Sequence, residues 1–498
     1  MSAPLDPGWQ RLDPRMLLVY PVKELIRFLP VLIGLFIAGT ASGGSGEWWN
    51  AVGVLIPIGL GLLRYYTTFF RIAGGRIELR RGLVNRHVLS TPLERVRTVD
   101  ITAPPVHRLL GLTSVRVGTG TASTDDDEQL TLDGLPVEQA RRLRAELLTT
   151  GPATEVAAPV EETVLVFDPS WVRFAPFTSA GLAIAGGVLA VASQVLNTTG
   201  GFQRLDPERI AHDAEAWSPW VALPVGVVGL VVLVSALSIG GYVLTNWGFR
   251  LTHTAGAWHL RRGLLTTRET TLDDERLRGV SVGEPLGLRI AGGGRAAAIV
   301  TGLGRGQSTL LVPPAPREVV RRAAGAVLRT PGPLDAPLVG HGPRARTRRY
   351  TRAVGPAVLL LLVAIALVLL ADAPVWLAVL AAVGVPVAVG LAADRVRALG
   401  HALVNGYVVV RSGSLNRRRD ALEVDGVIGW NLRATWFQRR VGLTTLAATT
   451  AGSRQAVTAL DVPEPVAIAL AREAHPHLLG QFLVSPETTT AGVGRSGL

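Results

Sequence analysis

The sequence predicts a membrane protein in which six transmembrane helices form three hairpins, each followed by a polar, β-rich module. Three observations predict this fold class. The 498-residue chain holds six apolar stretches almost free of charged side chains, its basic residues lie on one side of them, and one pattern of strands and glycines occurs three times. Charged residues make up 18% of the chain, against roughly 25% in an ordinary soluble domain.

The six apolar stretches are long enough, or nearly long enough, to cross a bilayer, which takes about 20 mostly apolar residues. Five of them contain no Asp, Glu, Lys or Arg, and the first contains only Arg27. Short connections join them in pairs, which predicts three helical hairpins. The predicted spans are Leu25–Ala41, Trp48–Leu63, Phe174–Leu196, Trp220–Val243, Ala353–Ala371 and Val375–Ala393.

The distribution of basic residues predicts the orientation of the chain. Within the hairpin connectors the only basic residues are Arg204 and Arg209, and the other 48 of the 50 lysines and arginines lie on the opposite side or at its edge. Segments rich in Lys and Arg stay in the cytoplasm. We therefore expect a multi-pass protein of the bacterial inner (cell) membrane with both termini cytoplasmic, and the net charge of +12 reflects this sidedness first.

A β-hairpin with glycine at its turn is predicted after each helical pair. In all three places apolar residues alternate on both sides of a glycine, which is typical of two short strands and a tight turn. The three segments are Arg76–Arg86 around Gly82, Trp258–Arg268 around Gly263 and Tyr407–Arg417 around Gly413.

A second glycine and a closing helix complete each predicted module. The glycines of Leu110-Gly111-Leu112, Leu286-Gly287-Leu288 and Val441-Gly442-Leu443 follow the turn glycines by 29, 24 and 29 residues. Proline is favoured in the first turn of a helix, so amphipathic helices are predicted over Pro136–Leu148, Pro316–Leu328 and Pro463–Leu479.

These patterns divide the chain into ten segments. The cytoplasmic N-terminal segment is 1–24, the transmembrane hairpins are 25–63, 174–243 and 353–393, the modules are 64–150, 244–330 and 394–480, the linkers are 151–173 and 331–352 (the second one basic), and 481–498 is a disordered tail.

The modules resemble the bacterial pleckstrin-homology (PH) type 2 domain, also called the membrane-flanking domain. The resemblance is carried by Arg76–Thr119 and Val404–Thr449, with Trp436–Leu443 especially similar, and by the recurrence of a module after each helical pair. It implies a large family member with three PH-like modules, each a strongly bent antiparallel sheet closed by a C-terminal helix. It also implies a smaller membrane partner with two spans and one such module, and a link with envelope stress or antimicrobial resistance.

We find no set of residues suited to catalysis or to metal binding. The absence of Cys excludes disulfides, thiolate metal sites and a Cys nucleophile. His475 and His477 have no carboxylates beside them, which favours a surface or packing role, and Asp125–Glu128 is typical of a solvated turn. Gly292–Gly294 and Gly302–Gly306 lack the Lys and hydroxyl of a phosphate-binding P-loop. We therefore predict a protein that is not an enzyme and has no cofactor and no metal.

The arginines are the candidate contacts to lipid head groups or to a protein partner. Each basic residue near the anionic cytoplasmic leaflet contributes about 1 kcal/mol. The alternative, topogenic charge on ordinary solvated strands, stays open, whereas nucleic acid is disfavoured because aromatic residues are not interleaved with the basic ones. The candidates are Arg80, Arg81, Arg95, Arg97, Arg261, Arg262, Arg276, Arg278, Arg344, Arg346, Arg348, Arg349, Arg417, Arg418 and Arg419.

The predicted function is that of a non-enzymatic membrane scaffold. Its partners would be anionic membrane lipids and a smaller two-span PH-domain membrane protein, with no nucleic acid. The alternative is a transporter or exporter that moves a lipid or hydrophobic compound through a cavity between the helical hairpins. Transporters keep functional ionisable residues deep in their spans, and the lack of such residues here favours the scaffold.

Overall fold

The computed structural model describes most of the chain, which divides into two compact units. The first unit is Met1–Arg276 with Gly302–Ser308, and the second is Leu277–Thr301 with Thr309–Leu498. The boundary therefore falls inside the predicted second module. The described residues are 8–25, 27–28, 47–82, 87–92, 98–118, 130–148, 162–178, 183, 186–187, 190, 193–194, 219–301, 310–452 and 456–476.

Three strand sets contain the same elements in the same order: four strands, a five-residue helix, two strands and a longer helix. The first set is β2 (Phe69–Ala73), β3 (Arg76–Arg81), β4 (His87–Pro92), β5 (Thr98–Ala103), α2 (Pro105–Leu109), β6 (Leu112–Gly118), β7 (Leu130–Pro136) and α3 (Val137–Leu148). The second is β9 (Arg250–Thr254), β10 (Ala257–Arg262), β11 (Thr267–Asp273), β12 (Leu277–Pro285), α5 (Leu286–Ile290), β13 (Gly293–Val300), β14 (Leu310–Pro316) and α6 (Arg317–Leu328). The third is β15 (Gly400–Val404), β16 (Tyr407–Ser412), β17 (Asn416–Glu423), β18 (Gly429–Arg433), α9 (Trp436–Arg440), β19 (Leu443–Thr449), β20 (Ala456–Pro463) and α10 (Glu464–Ala474).

Further elements precede each strand set. The short strand β1 and the helix α1 precede the first set, β8, a 3-10 helix and α4 precede the second, and α7 and α8 precede the third. Their bounds are Gln10–Arg11 for β1, Glu47–Thr67 for α1, Glu162–Val166 for β8, Pro169–Phe177 for the 3-10 helix, Pro219–Asn246 for α4, Gly342–Leu370 for α7 and Trp376–Ala398 for α8.

The first unit contains two antiparallel sheets. One has the strand order β1-β2-β3-β4, and the other has the order β7-β6-β5-β11-β10-β9-β8. The second of these sheets is shared by two strand sets, because β5 pairs with β11 and places Ala103 opposite Thr267.

The second unit repeats this arrangement. Its six-stranded sheet has the order β14-β13-β12-β17-β16-β15, and its three-stranded sheet has the order β18-β19-β20. Here β12 of the second set pairs with β17 of the third, from Gly279 opposite Leu422 to Pro285 opposite Asn416.

The expectation of one bent sheet in each module is therefore wrong. Each set places its first three strands in one sheet and its last three in another, and consecutive sets share a sheet through their fourth and third strands. Pairing satisfies the backbone N–H and C=O groups that a free edge would leave open. Alternating apolar residues specify strands and their buried face, but they do not specify which two edges meet.

The predicted turn glycines are confirmed. Gly82, Gly263 and Gly413 follow the second strand of each set and have φ values of +99°, +110° and +97°, a region that favours glycine. An added Cβ at Gly263 would lie 2.0 Å from the carbonyl oxygen of Thr266, so no other residue fits this turn unchanged.

The second glycine landmark needs a correction in the second set. Gly111 and Gly442 have φ values of +69° and +66°, directly after the five-residue helices, and each carbonyl accepts a hydrogen bond from the start of the closing helix. Gly292, with φ +75°, takes this place in the second set, whereas Gly287 lies inside α5. The spacing from Gly263 to Gly292 is 29 residues, as in the other sets. The similarity of Leu286-Gly287-Leu288 was misleading because those residues are helical.

The closing helices begin one residue after the predicted prolines, over α3, α6 and α10. They bury apolar faces on their sheets; in α6 these include Val320, Ala323 and Val327. The third helix ends at Ala474, and the predicted tail lies outside the described residues.

In the described part of the chain, three helices are long and apolar enough to cross a membrane: Pro224–Asn246, Gly342–Leu370 and Trp376–Ala398. They contain most of the fourth and nearly all of the fifth and sixth predicted spans, and α7 and α8 pack against each other. At most 11% of their apolar windows is buried, which leaves apolar surface suited to lipid. The second predicted span lies in α1, and most of the first and just over half of the third lie outside the described residues. Helix α7 begins at Gly342, within the predicted basic linker.

The predicted N-terminal segment packs into the core of the first strand set. Residues 16–25 are helical. Met16, Val19 and Tyr20 are almost fully buried in one cluster with Ile77 and Leu79 of β3. The helix that leads toward the first predicted span is therefore fixed to the sheet that follows that span in sequence.

Candidate functional site: basic residues at the membrane-proximal helices and on the shared sheet

The predicted basic run 344–352 forms the first turns of α7 and contacts the end of the third strand set. The Asp461 carboxylate is only 1% exposed and forms ion pairs with both Arg348 and Arg349, the latter at 2.6 Å. Gln438 Nε2 donates a hydrogen bond to Asp461 Oδ1 at 2.8 Å. We call these four residues the Asp461 clamp. A buried carboxylate needs such partners, so two of the candidate lipid contacts stabilise the fold.

Arg344, Arg348 and Arg352 of the basic run line a groove that also includes the exposed Phe437. Arg344 Nη1 donates to the Val441 carbonyl at 3.5 Å, and the groove of about 770 Å³ lies between the start of α7 and α9. Trp436 and Phe437 of α9 are 51% and 69% exposed. Tryptophan is enriched with basic residues at membrane interfaces, so this face of the second unit has the chemistry of a membrane-proximal surface. Arg346 lies over the Tyr350 ring at 6.0 Å from its centroid.

A similar but sparser arrangement occurs in the first unit. Arg15 Nη1 donates to the Leu110 carbonyl at 2.9 Å, beside the turn at Gly111, just as Arg344 does beside Gly442. Lys23 Nζ donates to the buried Asp133 Oδ2 at 3.0 Å. Burial opposes ionisation of Asp133, but the charge of Lys23, the hydrogen bonds from Ser114 and Lys23, and the charge of His107 together more than offset it, so the pKa of Asp133 is lowered.

The three consecutive candidates on β17 have different surroundings. Arg417 Nη2 lies 2.6 Å from Asp394 Oδ1 at the end of α8, and Arg419 Nη2 donates to the backbone carbonyls of Pro333 and Ala336. Burial, followed by the charges of nearby arginines, lowers the pKa of Arg419 to about 10. Arg418 is exposed and has no side-chain partner among the described residues.

The candidates of the second set also have partners in the protein. Burial and the nearby charge of Arg268 lower the pKa of Arg262. The contacts are Arg261 to Glu269 at 3.6 Å, Arg262 to Asn246 at 3.2 Å, Arg276 to Asp273 at 3.6 Å and Arg278 to Glu423 at 3.0 Å.

In the first set, Arg80 and Arg81 are half-buried on β3, and Arg81 donates to the Thr131 carbonyl. Arg95 and Arg97 lie outside the described residues. The structure therefore brings Arg348 and Arg349 to one carboxylate. Arg417 and Arg419 lie on one face of β17 with different partners, and the remaining described candidates lie apart on other strands and on α7.

A buried histidine pair was missed from the sequence. His341 Nδ1 donates to the Leu460 carbonyl at 2.8 Å, and its Nε2 lies 3.1 Å from His401 Nδ1. Burial lowers the pKa of His401 and lowers that of His341 to about 4. The pair joins the segment before α7 to β15 and β20. The two residues are 60 positions apart with no shared pattern, so nothing in the sequence pointed to them.

The other sequence candidates carry no chemistry where they are described. Trp430 Nε1 donates to His475 Nδ1 at 3.2 Å, which is a packing role. No group of three or more metal-ligating side chains lies together in the described ranges. His477, Asp125–Glu128 and Gly302–Gly306 lie outside them.

The family model of the bacterial PH domain matches the chain over residues 24–150 and 357–474. The two ranges contain the first and third strand sets and parts of the helical segments before them. The comparisons with curated proteins and with solved structures gave no significant match.

Proposed function

The chain is a bacterial PH-domain protein, and from this premise we propose that it is a non-enzymatic scaffold of the bacterial inner membrane. It would recruit a smaller membrane protein that has two spans and one PH module. The proposal includes six spans, with both termini and all strand sets in the cytoplasm, and contact of the membrane-proximal arginines with anionic lipids. The three apolar helices and the exposed Trp436 and Phe437 support membrane placement.

The observation that carries the scaffold proposal is the way consecutive strand sets join. The fourth strand of one set pairs with the third strand of the next, as β5 does with β11 and β12 does with β17. The equivalent strand of the third set, β18, lies at the edge of its sheet and pairs with β19 alone among the described strands. An open edge is a template for one more strand. A partner module would supply its third strand, which would pair with β18 as β11 pairs with β5 and β17 pairs with β12.

The first experiment is to purify the full chain from native membranes in mild detergent and identify what is bound to it. We expect a small membrane protein with a PH module in stoichiometric amount. A monomer without any membrane partner, or an assembly of this chain alone, would contradict the proposal.

A charged side chain on β18 should block the added strand. Leu432 is 39% exposed, so Leu432→Lys leaves the core intact while placing on the edge a residue that discourages pairing. We expect it to lower recovery of the partner at least several-fold. Val466→Lys, at a position of α10 that is 37% exposed, is the matched control and should leave recovery unchanged. Equal recovery with both variants would exclude β18 as the docking edge.

A further inference from the structure

A strongly basic pocket lies on the shared sheet of the second unit, and the scaffold proposal makes no use of it. The pocket has a volume of about 130 Å³, room for several water molecules. Its walls come from β12, β16, β17 and the first turns of α6, so both the second and the third strand sets contribute. The arginines that line it are Arg317, Arg321, Arg411, Arg417, Arg418 and Arg419.

The acidic residues near the pocket do not neutralise it. Glu284 is the one acidic residue in the lining and pairs with Arg317 at 3.0 Å. Arg321 pairs with Asp335 at 3.3 Å, but that carboxylate is 69% exposed, so water screens the pair. Six arginines and one glutamate leave a formal excess of five positive charges in the lining, and the pairing of Arg417 with Asp394 at 2.6 Å and of Arg321 with Asp335 reduces it to three.

Two of the arginines are oriented by backbone groups that carry no charge. Arg411 donates to the carbonyls of Arg397 and Ala398, and Arg419 donates to two carbonyls of the segment before α7. Burial lowers the pKa of both, and the charges of neighbouring arginines lower it further. The protein thus holds guanidinium groups together against their mutual repulsion, an arrangement that an anion would stabilise.

The position of the pocket strengthens this conclusion. Arg317 is the first residue of α6, where the positive end of the helix dipole disfavours a cation and favours an anion. Guanidinium groups offer paired N–H donors that match phosphate oxygens. Several of them from different strands can surround one tetrahedral anion.

We propose that this pocket binds a phosphate monoester or free phosphate as a dianion, carried either by a soluble molecule or by a lipid head group. The anion would connect α6 of the second set with β16 and β17 of the third. Binding would therefore tighten the shared sheet. This site is independent of the β18 edge.

The test uses the full chain in nanodiscs of phosphatidylcholine. Inorganic phosphate is titrated at constant ionic strength, with chloride as the reference anion, and the shift in thermal unfolding gives the affinity. The variant is Arg321→Gln with Arg411→Gln, since Arg321 pairs with an exposed carboxylate and Arg411 donates to backbone carbonyls, so neither change leaves a buried charge unpaired. Losing two charge-assisted contacts should weaken binding about 10- to 100-fold.

Arg322→Gln is the matched control, because Arg322 is exposed on α6 and does not line the pocket. It should bind phosphate as the wild type does. A second series replaces part of the phosphatidylcholine by phosphatidic acid, whose head group is a phosphate monoester, or by phosphatidylglycerol, a diester.

Stabilisation by dissolved phosphate indicates a soluble ligand, and stabilisation by phosphatidic acid alone indicates a lipid head group. Either result supports the proposal when the double variant binds at least 10-fold more weakly than the wild type. No stabilisation by either source, or equal stabilisation of the wild type and the double variant, would overturn it. No partner protein is present, so failure here leaves the scaffold proposal standing.

Discussion

In each unit, ion pairs connect a membrane-proximal helix to a strand set, and the two units differ in how deeply the cations of these pairs are buried. In the first unit Lys23, whose side chain is 49% exposed, pairs with Asp133. In the second, Arg348 and Arg349 are 12% and 16% exposed and share Asp461. Both carboxylates are buried, but water screens a half-exposed cation, whereas removing two buried cations leaves an uncompensated charge. Basic residues that the sequence groups together at a membrane boundary thus have unequal roles in the fold.

The largest expected effect comes from removing both cations of the Asp461 clamp. Arg348→Ala with Arg349→Ala should lower the free energy of unfolding of the second unit by about 3–5 kcal/mol, because Asp461 would stay buried and unpaired. Hydrogen exchange of β19 and β20 would report the loss. Adding Asp461→Asn should restore part of it, since Asn carries no charge and tolerates the φ of +57° at this position. A loss below about 1 kcal/mol would show that the Asp461 clamp contributes no more to stability than the Lys23–Asp133 pair does.

Mild acid should loosen the second unit through His341. Its pKa is about 4 in the folded protein and about 6.5 in an unfolded chain. The unfolded state therefore takes up a proton first as the pH falls, and the stabilisation present above pH 6.5 is lost progressively down to pH 4. At pH 5 the loss amounts to about 2 kcal/mol.

Chemical denaturation of the detergent-solubilised protein at pH 7 and pH 5 measures this effect. His341→Gln should be less stable at pH 7 and less sensitive to acid over the same range. An unchanged acid dependence in that variant would assign the effect to other groups.

The smallest of these stability effects should follow from Lys23→Met in the first unit. We expect a loss of about 1 kcal/mol, because water screens the half-exposed lysine and the buried Asp133 keeps the hydrogen bond from Ser114. Lys23 lowers the pKa of Asp133, so its stabilisation is present above the unfolded pKa of about 3.9 and is lost as the pH falls through the folded value. The wild type and the variant should therefore converge in acid. A loss as large as that of the Arg348/Arg349 variant would remove the contrast between the units.

Local features were predictable because local physics sets them. Gly82, Gly263 and Gly413 lie in turns with positive φ, and the apolar spans are set by composition. The closing helices start beside their prolines for the same reason. Gly287 shows the limit of such reasoning, because a Leu-Gly-Leu sequence can occur both in a helix and in a turn. The positive φ that marks the equivalent turn lies at Gly292, where the local sequence does not indicate it.

Long-range features were not predictable. The pairing of β12 with β17 depends on which edges meet in space. The sequence singled out Arg417 as a candidate contact, but it did not indicate that Asp394, near the end of α8, is its carboxylate partner. Arg317, Arg321 and Arg411 were not among the candidates, because they lie on two elements far apart in sequence, α6 and β16, and only the shared sheet brings these to one pocket.

The shared sheets also bear on how the chain folds. The second strand set gives β9–β11 to one unit and β12–β14 to the other, so in a fragment over 244–330 three strands would lose a partner, namely β9, β11 and β12. Such a fragment should aggregate more readily than a segment that contains a whole shared sheet. Loss of the second strand set would remove one of the two neighbouring strands of β5 and of β17. In this chain the unit that recurs in the sequence differs from the compact unit of the fold.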